Sequence, residues 1–178
     1  MARRLRDETQ HGAHTLPDYP VTLRRMELAD LDRVLQIEYV AFTMPWSSLT
    51  YRNLLHRKDA EIWVADSSDD GVVGYAGYWS VLDEAELGTI AVDPRHRGRG
   101  VARRLLEHVT ERVRQRGLRA VFLEVRVSNA PARRLYAEYG FHQVGVRRNY
   151  YAFPLEDALV LRLALAREPE QGKGKGKG

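Results

Sequence analysis

The chain of 178 residues contains no cysteine. That excludes disulfides, a thiol nucleophile and any zinc site built on thiolates. It also lacks an uninterrupted apolar run approaching the roughly 20 residues a membrane-spanning helix needs. The basic start, MARRLRDETQ, has no apolar stretch behind it and does not read as a secretory signal. No Gly-x-Ser-x-Gly elbow supports Ser47 or Ser48 as a nucleophile. No Gly-Lys-Ser/Thr marks a P-loop. The histidines, His96 and His108 included, lack metal-ligand spacing, so no catalytic metal is expected, and His108 reads as a surface residue. No internal repeat, RNP-like aromatic motif or helix-turn-helix signature is present, so no specific nucleic-acid site is expected. These absences leave a cytoplasmic protein without membrane attachment as the expectation.

What is present suits one domain with its own core, since 44% of residues are hydrophobic and 29% charged. The net charge of +4 points to anionic partners. Much of the excess lies in the first six residues and in Lys173, Lys175 and Lys177, so it says little about the folded body. Residues 1–20 are polar, with Pro17 and Pro20, and read as a flexible extension. Residues 167–178 end in a Gly-Lys alternation and read as a disordered tail. The folded domain is expected over 21–166.

Within it, patterning predicts the order βααβββαβαββ. Val21–Arg25 reads as a strand, and Ala29-Asp30 opens a helix carrying Leu31, Val34 and Leu35 on one face. Met44-Pro45-Trp46 breaks it, and Ser47 or Ser48 caps a second helix. Strands follow at Glu61–Ala65, Val72–Ser80 and Glu86–Val92. Ala102, Leu105, Leu106, Val109 and Val113 fall at helical spacing, and Gly117 ends that helix. Ala120–Val125 is a buried strand, Asn129 caps a fourth helix, and Phe141–Val146 and Ala158–Leu163 close the chain. Strands alternate with helices only in the second half, which predicts a mixed α/β sheet.

The stretch Val92-Asp93-Pro94-Arg95-His96-Arg97-Gly98-Arg99-Gly100-Val101-Ala102 is a strand, a glycine turn and a helix start. Glycines admit turn conformations and close approach of the backbone. The first N–H groups of a helix have no internal partner and favour anions. A Rossmann loop needs a third glycine, where this chain has Arg103. The alternative is a glycine turn that only starts a helix.

Arg97-x-x-Gly100-x-Ala102 resembles the Arg/Gln-x-x-Gly-x-Gly/Ala signature of the GNAT acetyltransferases. Ile90-Ala91-Val92 before it, Leu123-Glu124-Val125-Arg126-Val127-Ser128-Asn129-Ala130, Leu135-Tyr136, Tyr139-Gly140-Phe141 and Arg147-Arg148-Asn149-Tyr150-Tyr151 are similar to the subgroup that acetylates N-terminal amines of ribosomal proteins. The likeness covers about residues 21 to 165. It implies the GNAT fold, a mostly antiparallel sheet splayed at the cofactor with helices on both faces. It implies acetyl-CoA as cosubstrate, held by Ile90, Ala91, Val92, Arg97, Gly98, Arg99, Gly100, Val101, Ala102, Asn129 and Tyr136. The implied acceptor is a protein N-terminus, that of small-subunit ribosomal protein S18, which leaves contact with the ribosome open.

The resemblance makes Glu124 the general base and Tyr136 the acid that protonates the departing thiolate. An attacking amine must lose a proton, and a carboxylate on an otherwise apolar strand can have its pKa raised towards a useful value. Read without the resemblance, Glu124 equally suits a strand-end charge paired with Arg126 or another arginine, Tyr136 suits a core position on its helix, and Asn129 suits a cap alone. Acceptor contacts are expected from Pro45, Trp46, Glu84, Thr89 and a loop carrying Arg147, Tyr150 and Tyr151, with Glu86 a further carboxylate nearby. Thr89 stands where many members carry Asn, and its reach is shorter. Acetylation of a small amine or a lysine side chain, and a non-catalytic acetyl-CoA or RNA-associated binding role, are the competing readings.

Overall fold

Trp46, Tyr51 and Tyr75 meet one buried carboxyl group, and that meeting sets one half of the fold. Glu38 lies on helix α1 (Leu31–Ala41), which a short 3-10 turn at Leu28–Asp30 leads into. Its side chain is enclosed, and its oxygens accept the Trp46 N–H at 2.7 Å, the Tyr51 hydroxyl at 2.7 Å and the Tyr75 hydroxyl. Tyr51 belongs to helix α2 (Ser48–His56), capped by Ser47, whose hydroxyl accepts the Thr50 N–H at 3.2 Å. A buried polar group without partners is costly, so the three donors explain why a glutamate is tolerated there.

The structure is a computed structural model and describes residues 19–165. The expected tail and most of the expected extension lie outside the described residues. The strands are β1 (Thr22–Arg25), β2 (Ala60–Ser67), β3 (Gly71–Val81), β4 (Glu84–Val92), β5 (Ala120–Arg126), β6 (His142–Ala152) and β7 (Leu155–Ala164). They form one seven-stranded sheet in the order β1-β2-β3-β4-β5-β7-β6. Only β4 and β5 are parallel; every other pair is antiparallel. Helix α3 (Val101–Gln115) makes the β4–β5 crossover, and α4 (Ala130–Glu138) joins β5 to β6. This is the mixed α/β architecture that the patterning predicts.

Two cores sit on the two faces. On one, Leu31, Val34, Ile37 and Leu54 of α1 and α2 cover Ile62, Val64 and Ala91. On the other, Leu105, Leu106, Val109 and Val113 of α3 and Tyr136 of α4 cover Val73, Ala76, Leu87, Val121 and Leu123. His108, expected at the surface, is instead half-buried against the Trp63 ring at 4.1 Å between centroids. Its position next to Val109 on α3 turns it towards Trp63 of β2. Among the described residues no helix is long and apolar enough to cross a membrane.

Two local departures bear on the site. In β4 the pairing with β3 slips between Gly77 and Tyr78, so Gly88 is an extra residue, a bulge. A Cβ on Gly88 would lie 2.2 Å from the Trp79 ring and 2.9 Å from the Trp46 ring, so only glycine lets these tryptophans close over β4. The second departure is a correction. Arg147–Tyr151, expected as a loop, lies inside β6. Arg147 pairs with Ala158 and Tyr151 with Glu156, so extra β6 residues bulge out, with Asn149 at φ 52°. β6 is an exposed edge strand, and its polar, bulged middle hides the period-2 pattern that identifies strands.

Glu38→Ala leaves two phenols and one backbone N–H without their acceptor, and we expect a loss of about 3 kcal/mol or more in urea unfolding. Glu38→Gln keeps one acceptor oxygen and loses less. Equal midpoints for Glu38→Ala and the unaltered protein would show that the network carries no stability.

Candidate active site

The site begins where β4 and β5 separate. They pair only at Ala85 with Val121 and Glu86 with Phe122, although β4 runs on to Val92 and β5 to Arg126. The Gly88 bulge lies just beyond the last pair, and bulges bend a strand and increase its twist. Asp93 N–H donates to the Val73 carbonyl at 2.9 Å. Because successive residues of a strand turn their backbone groups to opposite sides, Ile90 and Val92 face away from β3 into the gap. Ala91, grouped with them in the expected cofactor set, turns its backbone to Tyr75 of β3 and its side chain into the α1–α2 core.

At the open end of the gap the chain turns into α3. Asp93 accepts the Arg95 N–H at 2.9 Å and both the Arg95 and Arg33 guanidiniums. The Arg95 and Arg33 guanidiniums, with the Arg95 N–H, hold its carboxyl well below the usual carboxylate range. His96, which sequence reasoning left unassigned, is buried with Nε2 3.1 Å from the Asp70 carboxylate. Gly98 and Gly100 adopt φ of +73° and +79°, and open space lies where their Cβ atoms would be. Gly100 is the cap of α3 and has no side chain to satisfy the helix. The first helical bond runs from Arg104 N–H to Gly100 at 3.0 Å, so the N–H groups of Val101, Ala102 and Arg103 lack helical partners. Arg97 bonds the Val92 carbonyl at 3.1 Å, and Arg99 lies over the Tyr19 ring. A diphosphate fits this array of N–H groups and arginines, and an extended arm bearing amides fits the backbone groups lining the gap.

Side chains on the α1–α2 face of the gap form the second half of the site. Glu124 is half-buried on β5, and its Oε1 lies 3.1 Å from Arg147 Nε. Burial raises its pKa, the neighbouring Glu86 charge raises it further, and Arg147 partly opposes both. Arg126 is not its partner but turns to Glu156. Glu84 sits at the closed end of the gap, 3.9 Å from Arg162, so the carboxylate acting on Glu124 is Glu86. Arg147 lies over the Tyr150 ring and Arg126 over the Tyr151 ring, which meet edge to face. Pro45 and Trp46 stand on the α2 side, Trp46 beside Tyr51 and Trp79. Thr89 does not reach this surface. It is buried, and its hydroxyl has no partner.

Tyr136 and Asn129 lie on the α3–α4 side. Asn129 accepts the Ala132 N–H at 3.2 Å and so caps α4. Tyr136 is enclosed against Phe141. Burial pushes its phenol well above its usual range, and Tyr151 on the other face adds to the shift. Glu38, Trp79 and Arg126 were not singled out as site residues, because each is polar or aromatic in a pattern that reads as ordinary helix or strand.

The acetyltransferase (GNAT) family model matches residues 31–141. The ribosomal protein bS18-alanine N-acetyltransferase of Salmonella typhimurium is 38% identical over 147 residues, covering 82% of this chain and 98% of that protein. The Escherichia coli K12 protein of the same description is 35% identical over 147 residues, with the same coverage. A crystal structure of the Escherichia coli ribosomal-protein-S18-alanine N-acetyltransferase superposes with a TM-score of 0.77 at 34% identity, covering 87% of this chain and all of that one. Ard1 from Thermoplasma volcanium superposes with a TM-score of 0.76 at 26% identity, covering 82% of this chain and 98% of that one. The split sheet, the glycine cradle at its mouth and these likenesses agree, and the chain belongs to the GNAT family of acetyltransferases.

Proposed function

We propose that the chain transfers an acetyl group from acetyl-CoA to the N-terminal amine of a protein, that of ribosomal protein S18 being the favoured acceptor. The observation that carries this is Glu124, a carboxyl group of raised pKa beside the β4–β5 gap and on the opposite side of the sheet from α3 and α4. Relatives that share more than a third of their residues with it are named for that acceptor.

Acetyl-CoA supplies the activated acetyl group. The N–H groups from Gly98 to Ala102, with Arg97 and Arg99, suit its pyrophosphate. The backbone of Ile90 and Val92 suits its pantetheine arm and the acetyl carbonyl, as fixed donors already aimed at developing charge. Glu124 takes the proton of the acceptor amine, directly or through a water. An α-amine has an ordinary pKa of about 8 and a lysine amine one of about 10.4, so a carboxylate base takes a proton more readily from the former. Tyr136 holds its proton at neutral pH and is the donor on the leaving-group side. Burial raises the pKa of a thiol as it raises that of a phenol, so enclosure does not set the two against each other. Pro45, Trp46, Tyr150 and Tyr151 wall the acceptor. Thr89 supports that wall from the core, and Glu84 adds negative charge at the closed end.

Thiol release should be measured with free-N-terminus peptides, polyamines and an Nα-blocked lysine peptide. We expect turnover on free N-termini, a fall in kcat of about 100-fold or more for Glu124→Gln, and about 10-fold or more for Tyr136→Phe. The KM for acetyl-CoA should be nearly unchanged in Glu124→Gln. Turnover on polyamines or the blocked peptide alone would sink the acceptor assignment.

The acidic limb of kcat/KM against pH tests the base independently. Glu124 acts only when ionised, and a like charge raises its pKa whereas an opposite charge lowers it. Glu86→Gln should therefore move the limb to lower pH, and Arg147→Gln should move it to higher pH. Movement in the same direction for both would place the titrating group elsewhere.

A further inference from the structure

The two walls of the acceptor cleft come from distant parts of the chain. One is the loop between α1 and α2, residues 42–47. The other is the β6–β7 hairpin, whose tip is Phe153-Pro154. Each is secured to its own base, the first by the Trp46–Glu38 bond and the second by strand pairing. Nothing in either attachment sets the distance between them.

One side chain spans that distance. Arg126, the last residue of β5, lies two positions beyond Glu124, so both side chains point to the same face. Its NH2 donates to the Thr43 hydroxyl at 2.7 Å and to the Phe153 carbonyl at 3.1 Å. Its NH1 donates to the Pro154 carbonyl at 3.3 Å and to Glu156 Oε2 at 3.2 Å. Its guanidinium lies 3.9 Å from the centre of the Tyr151 ring. Glu156 is itself held by the Ser128 N–H and hydroxyl. Among the described residues no other side chain hydrogen-bonds both walls. A planar, multidentate guanidinium can make all these contacts at once, whereas an ammonium cannot.

We propose that Arg126 is a positioning residue that clasps the two walls and sets the width of the acceptor cleft. The inference rests on the acceptor reading above and deepens it. Phe42 and Met44 on one wall and Phe153 and Leu155 on the other are exposed beside the clasp. A peptide lying between the walls meets these apolar side chains, and the clasp fixes their separation. Arg126 takes no proton and touches no reacting group. Its effect falls on acceptor binding, not on acetyl-CoA or the chemical step.

Thr43→Val is the decisive variant, because Thr43 is exposed and only the bond across the cleft is lost. Steady-state kinetics with a free-N-terminus peptide should show the peptide KM raised by roughly fivefold, the loss of one hydrogen bond. The kcat and the KM for acetyl-CoA should stay within about twofold of the unaltered enzyme. Arg126→Lys should show the same split more strongly. Hydrogen–deuterium exchange, which needs no turnover, should be faster in Thr43→Val at both the 42–47 loop and the hairpin tip. An unchanged peptide KM, or a parallel loss in kcat and both KM values, overturns the clasp. If the unaltered protein acetylates no free N-terminus, the acceptor reading fails. The exchange experiment then decides the clasp alone: unchanged rates at the hairpin tip overturn it, and faster rates at both walls uphold it.

Discussion

Two parallel strands that pair for two residues and then part are the constraint on which the site depends. Inside a sheet every backbone N–H and C=O is consumed by a neighbour. Where β4 leaves β5, the backbone groups of Ile90 and Val92 that face away from β3 are left without strand partners in the middle of the sheet. A ligand with an extended, amide-bearing arm can meet that demand. The same separation leaves α3 and α4 on one face of the gap and the side chains of Glu124 and Arg126 on the other, which is the division that the proposed transfer uses. The Gly88 bulge lies at this opening, and the same glycine admits the rings of Trp46 and Trp79.

Four carboxyl groups of low exposure differ in how their surroundings treat the charge. Glu38 has three hydrogen-bond donors and no space beside it. Asp93 is saturated by Arg33 and Arg95 and holds the cradle to α1. At Glu61, burial pushes the pKa up, but Arg112, Trp63 and Arg25 outweigh it and bring it to about 2. Each of these is committed to its charge or its bonds. Glu124 differs, because burial and the Glu86 charge both work against ionisation and its one cation, Arg147, is more than half exposed. On the reading proposed above, a carboxyl group of raised pKa suits the acceptance of a proton from an amine.

The acceptor side is built differently from the cofactor side. Around the glycine cradle the backbone supplies the recognition, and side chains such as Asp93 and His96 only hold the loop. Across the sheet the proposed acceptor surface is made of side chains, Trp46, Tyr150 and Tyr151, on two segments that Arg126 hydrogen-bonds or stacks against. A diphosphate, always the same group, suits fixed backbone groups, whereas discrimination among peptides would suit replaceable side chains on a frame of set width.

Much of this was legible in the residues themselves. Helix starts and stops followed from Ser47 or Ser48, Asn129, the Gly98–Gly100 turn and Gly117, because capping and positive-φ positions are local chemistry, and the structure places the caps at Ser47 and Gly100. The order of elements and the two apolar faces followed from periodicity, and the cradle followed from glycines between a strand and a helix. The edge strand β6 was misread at Arg147–Tyr151, since a bulged, exposed strand has no alternating pattern to betray it. Thr89 looked available to a ligand, but the bulge one residue earlier turns it into the core. The sequence alone thus determined the order of the elements, the layers and the glycine turn before α3, which are set by periodicity and by local turn and capping chemistry. Tertiary structure alone decided that Glu124 pairs with Arg147 and leans on Glu86, that Glu38 gathers Trp46, Tyr51 and Tyr75, and that Arg126 reaches Thr43. Those partners are distant along the chain, and only the register and parting of the strands bring their charges within reach of one another.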